Sequence, residues 1–62
     1  MKLYTYIIIS YNSITERDEV IYSSTDYQDA LKQFELQPGY SNINTVSLER
    51  WFCFERTTLK VK

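Results

Sequence analysis

The segment that most constrains the fold is Lys2–Tyr11, which reads KLYTYIIISY and contains neither glycine nor proline. It is rich in β-branched and aromatic residues, which favour a β-strand. Successive side chains of a strand point to opposite faces. Large side chains fall on both faces of this segment: Leu3, Ile7, Ile9 and Tyr11 on one, and Tyr4, Tyr6 and Ile8 on the other. A strand with no polar face is typical of the centre of a sheet that is covered on both sides.

A second strand and a helix follow along the chain. Asn12–Asp18 is polar and is predicted to be a loop that leads into a strand at Glu19–Ser24. Helical spacing then replaces the period of two, with large or apolar side chains at i, i+3, i+4 and i+7: Tyr27, Ala30, Leu31 and Phe34. We therefore predict a helix over Asp26–Leu36.

Both ends of this helix carry a signal in the sequence. Thr25 and Gln28 have the spacing of an N-terminal capping box, in which a hydroxyl and an amide side chain bind each other's backbone N–H groups. Pro38 and Gly39 end the helix, because proline cannot continue it and glycine allows the turn.

The extended pattern returns in Ile43–Arg56, which includes the sequence ERWFCFER. In one continuous strand its bulky side chains would alternate, with Trp51 and Cys53 on one side and Arg50, Phe52, Phe54 and Arg56 on the other. Fourteen residues would span roughly 46 Å, which is long for a small domain. We therefore expect a bulge, bend or turn, with Thr58–Lys62 returning as a short edge strand.

These elements predict an α+β fold in a single domain over residues 1–62. The first two strands run antiparallel and the helix crosses back, so the third strand pairs with the first as an antiparallel neighbour. The predicted antiparallel sheet has the strand order 2-1-3, with one helix packed on one face and room for a short fourth strand, in the order ββαβ(β).

The predicted helix is too small to cover this sheet. About eleven residues make a rod about 16 Å long, so one face stays uncovered and carries more apolar surface than a monomer normally exposes. We predict partner or dimer contacts through eight residues: Tyr4, Tyr6, Tyr40, Arg50, Trp51, Phe52, Phe54 and Arg56. A homodimer through the third strand or the open face, with the charged residues around WFCF paired across its twofold axis, is the favoured assembly. The alternative is a strand that curls and closes its own core.

The composition argues against catalysis. The 62 residues include one cysteine and no histidine, so neither an internal disulfide nor a Cys/His zinc site can form. Cys53 lies among aromatic residues and is predicted to be a small buried hydrophobic side chain rather than a nucleophile. The acidic pairs Asp18/Glu19 and Asp26/Asp29 fit a strand start and a helix N-terminus. We predict no enzyme activity, no cofactor and no metal.

The charge balance bears on nucleic acids and membranes. Seven basic and eight acidic residues give a net charge of −1, so no general field attracts phosphates. Binding of single-stranded nucleic acid is the less favoured alternative, with aromatic and arginine side chains stacked on bases: Tyr4, Tyr6, Trp51, Arg50 and Arg56. A sponge for a nucleotide signal is a further alternative. The longest apolar run, Ile7–Ile9, cannot span a membrane, and the free thiol and missing secretory signal predict the cytoplasm.

Protein binding is the function class that remains. The residue types that dominate interface energetics are well represented, with one tryptophan, six tyrosines and three arginines. Gln37–Asn44, which contains Tyr40, and Asn12–Asp18 are predicted contact loops. A short, cysteine-poor, aromatic-rich chain, in which amino acids with AT-rich codons outnumber those with GC-rich codons, resembles in general style the small inhibitors encoded by phages and mobile elements. That resemblance implies a non-catalytic inhibitor that binds and blocks a host defence complex in the host cytoplasm, as anti-CRISPR proteins do.

Overall fold

Four strands form one antiparallel sheet in the computed structural model, which describes residues 3–37 and 43–62. The elements in chain order are β1 (Thr5–Asn12), β2 (Arg17–Ser24), α1 (Tyr27–Leu36), β3 (Asn44–Phe52) and β4 (Glu55–Val61). The strand order is β2-β1-β3-β4, and every neighbouring pair is antiparallel. The predicted α+β fold, the central position of the first strand and the fourth strand are therefore confirmed.

The main core lies between the sheet and α1. Ile8 of β1 and Leu48 of β3 pair across the strands and are fully buried. They pack with Val46 and with Ala30 and Phe34 of α1. The apolar helical stripe predicted from the sequence therefore faces the sheet, because residues at i and i+4 lie on one side of a helix.

The second face of the sheet, away from α1, is also buried from solvent at its centre. Ile7 and Ile9 flank Ile8 and point away from the helix, yet they are only 7% and 4% exposed. No described element lies over them, and the shortest dimension of the molecule is 15 Å, which fits one sheet and one helix layer. This centre is therefore buried without a second helix or sheet layer among the described residues. Val20, paired with Ile9, and Val61 of β4 stay exposed around this centre.

The helix begins one residue later than predicted, and Asp26 is its N-cap. The Asp26 carboxylate accepts the backbone N–H of Gln28 at 3.0 Å, and the Asp26 N–H donates to Ser24 Oγ at 3.1 Å. The predicted capping box of Thr25 with Gln28 is therefore wrong. A carboxylate at this position accepts an unpaired N–H, and its negative charge complements the positive end of the helix dipole. A threonine hydroxyl can accept the N–H but carries no charge.

The far end of the helix is tied to β4. Lys62 Nζ donates to the backbone carbonyls of Glu35 at 3.0 Å and Gln37 at 3.1 Å, and it lies 5.1 Å from the centroid of the Phe34 ring. The last turn of α1 has no basic residue of its own. Lys62 therefore supplies the positive charge that stabilises a helix C-terminus. The predicted stop at Pro38 and Gly39 lies outside the described residues.

Tyr22 joins β2 to the helix, and it makes the fold sensitive to high pH. Its hydroxyl donates a hydrogen bond to the Asp29 carboxylate. This bond, with partial desolvation and the negative charges of Asp29 and Asp26, raises the pKa of the Tyr22 phenol above its ordinary value. A phenol that holds its proton more tightly when folded stabilises the native state below pH about 10 and loses that contribution as the pH rises through the folded pKa.

We expect the Tyr22→Phe variant to reveal this dependence. The difference in free energy of unfolding between wild type and variant should be constant from pH 7 to about 9, and should shrink above pH about 10. Urea titrations at each pH measure it. All other tyrosines and lysines are shared by the two proteins, so their ionisation cancels. Parallel curves up to pH 11.5 would show that the hydrogen bond to Asp29 has no part in stability.

Candidate functional site

The predicted strand Ile43–Arg56 is broken by a tight turn. Phe52 pairs with Glu55, so Cys53 and Phe54 alone connect β3 to β4. Cys53 has a φ of 56°, whereas Phe54 does not have a positive φ. Positive φ at the first turn residue only is the pattern of a type II′ turn, where glycine is preferred. The expected turn is present, and the returning strand begins at Glu55 rather than Thr58.

This turn changes which side chains share a face. Trp51 pairs with Arg56, so these two lie on the same face and not on opposite faces as an unbroken strand would place them. Cys53 is exposed, so the prediction that it is buried is wrong. Phe54 is also removed from the strand's apolar side, and its relative exposure is 104%. The reason for both differences is that a two-residue turn lifts its residues out of the sheet.

Replacing Cys53 with glycine should stabilise the fold. A residue with a Cβ atom is strained at positive φ, and glycine relieves this at some cost in chain entropy, which leaves a net gain of about 0.5–1 kcal/mol. The midpoint of urea unfolding measures it. Cys53→Ala is the matched control, because it removes the thiol and keeps Cβ. An equal gain in both variants would mean that the thiol, and not the backbone, is the source of strain.

Trp51 and Arg56 form a closed cluster with Glu49 on the second face of the sheet. Glu49 Oε1 accepts Trp51 Nε1–H at 2.9 Å and two N–H groups of Arg56 at 2.9 and 3.1 Å. The Arg56 guanidinium lies 4.5 Å from the Trp51 ring centroid. The charged residues around WFCF were expected to pair across a dimer axis, but Glu49 and Arg56 pair within one chain. Glu49 Oε1 and two N–H groups of Arg56 are therefore used within the chain.

Four of the other predicted residues lie together on the helix-facing side, where α1 no longer covers the sheet: Tyr4, Tyr6, Arg50 and Phe52. Their rings form a row: Tyr27 at the start of α1 lies 5.3 Å from Tyr6, Tyr6 lies 6.4 Å from Tyr4, and Tyr4 lies 5.4 Å edge-to-face from Phe52. We call this row, with Arg50, the aromatic groove. It exists because the helix is only ten residues long, about 15 Å, and begins at Tyr27.

The aromatic groove contains two adjoining hollows, and Arg50 lines both. The hollow near the β3–β4 turn has a volume of about 330 Å³ and reaches Phe54 and Glu55. The hollow near the helix start has a volume of about 350 Å³ and reaches Leu59. Leu59 lies two residues after Thr57, which pairs with Arg50 on the helix-facing side, and its side chain packs against the core.

The polar groups of the groove have few partners. The Arg50 guanidinium lies 4.6 Å from the centroid of the Tyr4 ring. Within residues 3–37 and 43–62, no carboxylate lies within 4.0 Å of it, and Glu49–Arg56 is the ion pair that is formed. In the same part of the chain, Tyr22 is the tyrosine whose hydroxyl makes a hydrogen bond. The hydroxyls along the groove are therefore available to a ligand.

The eight predicted interface residues thus divide into separate groups. Tyr4, Tyr6, Arg50 and Phe52 form the groove with Phe54 at its rim; Trp51 and Arg56 lie on the second face; and Tyr40 lies outside the described residues. Tyr27 and Leu59 also line the groove, and neither is among the eight predicted interface residues. Tyr27 belongs to the helical stripe and was assigned to the core. Leu59 faces the groove because the two-residue turn reverses the alternation that an unbroken strand would give, and that turn has no signal in the sequence.

The loop predicted at Asn12–Asp18 is a shorter, well-bonded turn over residues 13–16. Asn12 Oδ1 accepts the backbone N–H groups of Ile14 at 2.8 Å and Thr15 at 3.1 Å, and Ser13 donates to the Ile43 carbonyl. This turn lies at the opposite end of the sheet from Phe54, because β1 and β3 are antiparallel. Most of the other predicted contact loop, Gln37–Asn44, lies outside the described residues.

Searches for metal sites, membrane spans and relatives gave no match. Among the described residues, no three His, Cys, Asp or Glu side chains are grouped so that they could hold a metal ion. The described part of the chain also has no helix that is long and apolar enough to cross a membrane. No protein-family model, curated protein or solved structure matches the chain.

Proposed function

We propose that this chain is a non-catalytic protein-binding module that uses Phe54 as its anchor and the aromatic groove as its receptor surface. The observation that carries this proposal is the position of Phe54, which is fully exposed at the tip of a two-residue turn beside the groove. A phenylalanine exposed to this degree gains free energy only when a partner covers it, by about 1.5–3 kcal/mol.

The turn holds this anchor in place before a partner arrives. The β3–β4 pairs Phe52–Glu55 and Trp51–Arg56 lie directly beneath it, and the Glu49 cluster ties the two strands together on the second face. A side chain on a rigid turn loses little conformational entropy on binding, so more of its contact energy contributes to affinity.

We further propose that the partner is a host defence protein and that binding blocks it, in the manner of anti-CRISPR inhibitors. The support for this finer proposal is the small size of the chain, its content of amino acids whose codons are AT-rich, and its resemblance in style to phage-encoded inhibitors. Such inhibitors need a rigid contact surface and no catalytic groups.

Cys53 allows a direct test, because it is exposed and is the only cysteine of the chain. Labelled there with a photoreactive maleimide, the protein should crosslink to one host protein. The matched control carries Cys53→Ser and Ile14→Cys, with the label at the opposite, equally exposed turn, and should not form this crosslink. Unlabelled wild type should compete with the crosslink, and unlabelled Phe54→Ser should not.

Two results would contradict the proposal. One is the same crosslinked products from both label positions. The other is the absence of any crosslink, together with no host protein retained by the Cys53→Ser, Ile14→Cys chain when it is immobilised through position 14, which leaves the β3–β4 turn unlabelled. The retention measurement is needed because a label on Cys53 could itself block binding at the turn.

A homodimer through the second face stays a prediction. The exposed apolar side chains of Val20 and Val61 support it, whereas the burial of Ile7 and Ile9 within one chain weakens it. We expect sedimentation equilibrium at micromolar concentration to give a mass near twice 7.5 kDa. A single species at the monomer mass would show that the chain folds without forming a dimer.

A further inference from the structure

Arg50 is held in a defined position without a negatively charged partner. It lies opposite Tyr6 on β1, and its guanidinium rests on the Tyr4 ring, 4.6 Å from the centroid. Its side chain is half-buried, and no carboxylate of the described residues lies within 4.0 Å. A guanidinium has five N–H donors and no acceptor, and stacking on a ring uses none of them. These donors can serve a ligand.

The contrast with Arg56 shows what a satisfied arginine looks like in this chain. Arg56 also stacks on an aromatic ring, that of Trp51, but two of its N–H groups bind the Glu49 carboxylate. Arg50 has the same kind of ring contact and lacks the carboxylate. The Arg56–Glu49 pair therefore shows that an arginine stacked on a ring in this sheet can also bind a carboxylate.

The surroundings of Arg50 add further donors. Tyr4, Tyr6 and Tyr27 line the two hollows that meet at Arg50, and none of their hydroxyls binds another described residue. Phenol hydroxyls and a guanidinium together suit an anion with two oxygens, which accepts charge-assisted hydrogen bonds. The rings on either side suit an apolar or aromatic side chain.

We propose that the aromatic groove binds a segment of a partner protein that carries a carboxylate next to an apolar or aromatic side chain, and that Arg50 binds the carboxylate. This inference rests on the proposed protein-binding function and names the chemistry of the partner. A single guanidinium matches a single carboxylate. A nucleic acid strand would bring several phosphates to a hollow that Glu55 also lines, in a chain with a net charge of −1.

Selection from a random 12-residue peptide library displayed on phage tests the proposal. Peptides enriched on immobilised wild-type protein, and competed by it in solution, should contain Asp or Glu beside an aromatic residue. Synthetic versions with that acid changed to its amide should bind at least about tenfold more weakly, as expected for a charge-assisted hydrogen bond. Fluorescence anisotropy measures both affinities.

Protein variants complete a double-mutant cycle. Arg50→Gln should weaken binding of the acidic peptide by about the same tenfold. This variant should bind the acid and amide peptides equally, because the change in the protein and the change in the peptide remove the same interaction. Arg56→Gln, on the second face, should keep the full difference between the two peptides. Circular dichroism verifies that both variants are folded.

The outcomes separate this inference from the proposed function. Peptides that require Phe54 but bind equally as acid and amide would overturn the role of Arg50 and leave protein binding intact. Tighter, salt-sensitive and Arg50-dependent binding of an eight-residue oligothymidine would overturn the inference in favour of a nucleic-acid site. Failure to select any peptide, with no Cys53 crosslink, would overturn both.

Discussion

Replacing Leu48 with alanine is expected to lower the free energy of unfolding by about 3 kcal/mol. Leu48 is fully buried at the meeting of β1, β3 and α1, where it packs with Ile8 and Phe34. The substitution removes apolar contacts and leaves a cavity under the only helix of the described chain. A domain of this size has a total stability of about 3–5 kcal/mol, so most of the variant should be unfolded at 37 °C.

Thermal unfolding followed by circular dichroism measures this effect. Leu36→Ala is the matched control, since Leu36 is exposed near the end of the same core helix, and it should change stability by less than about 0.5 kcal/mol. If Leu48→Ala melted within a few degrees of wild type, the sheet would not depend on the helix for its core.

Replacing Phe54 with alanine should reduce affinity for the crosslinked partner, or for the selected peptides that depend on this residue, by about 30-fold or more. This corresponds to the loss of about 2 kcal/mol that is typical of an aromatic anchor in an interface. Stability should be unchanged, because the Phe54 ring is fully exposed and so contributes no burial to the fold. Titration by anisotropy and a thermal melt of the same samples measure the two quantities.

Ile14→Ala controls for the loss of exposed apolar surface in general. Ile14 is 72% exposed at the opposite end of the sheet, and its removal should leave affinity within about twofold of wild type. Equal losses from the two variants would indicate non-specific hydrophobic contact rather than an anchor at the β3–β4 turn.

The order of the elements could be predicted because two patterns are strong and independent. β1 is apolar on both faces, which requires neighbours on both sides, and the Tyr27–Phe34 stripe has helical spacing. Chain direction then leaves one place for the third strand. None of these steps depends on the details of a turn, so small errors in element boundaries did no harm.

The site could be predicted only in part, because the placement of Trp51, Phe54 and Arg56 depends on one turn that has no sequence signal. WFCF contains no glycine, asparagine, aspartate or proline, the residues that usually mark hairpin turns. Alternation continued through Cys53 and Phe54 gives the wrong face for the later residues up to the β-bulge at Leu59. Arg56 therefore joins Trp51, and the groove is left with Arg50 as its arginine.

Trp51, the only tryptophan, offers an optical consequence of the Glu49 cluster. Its indole is stacked on a guanidinium and held by a carboxylate on the side of the sheet away from the groove. Its emission spectrum should shift when the hairpin comes apart and stay constant while the groove fills. Denaturation can therefore be monitored in the presence of a bound peptide, without an added dye.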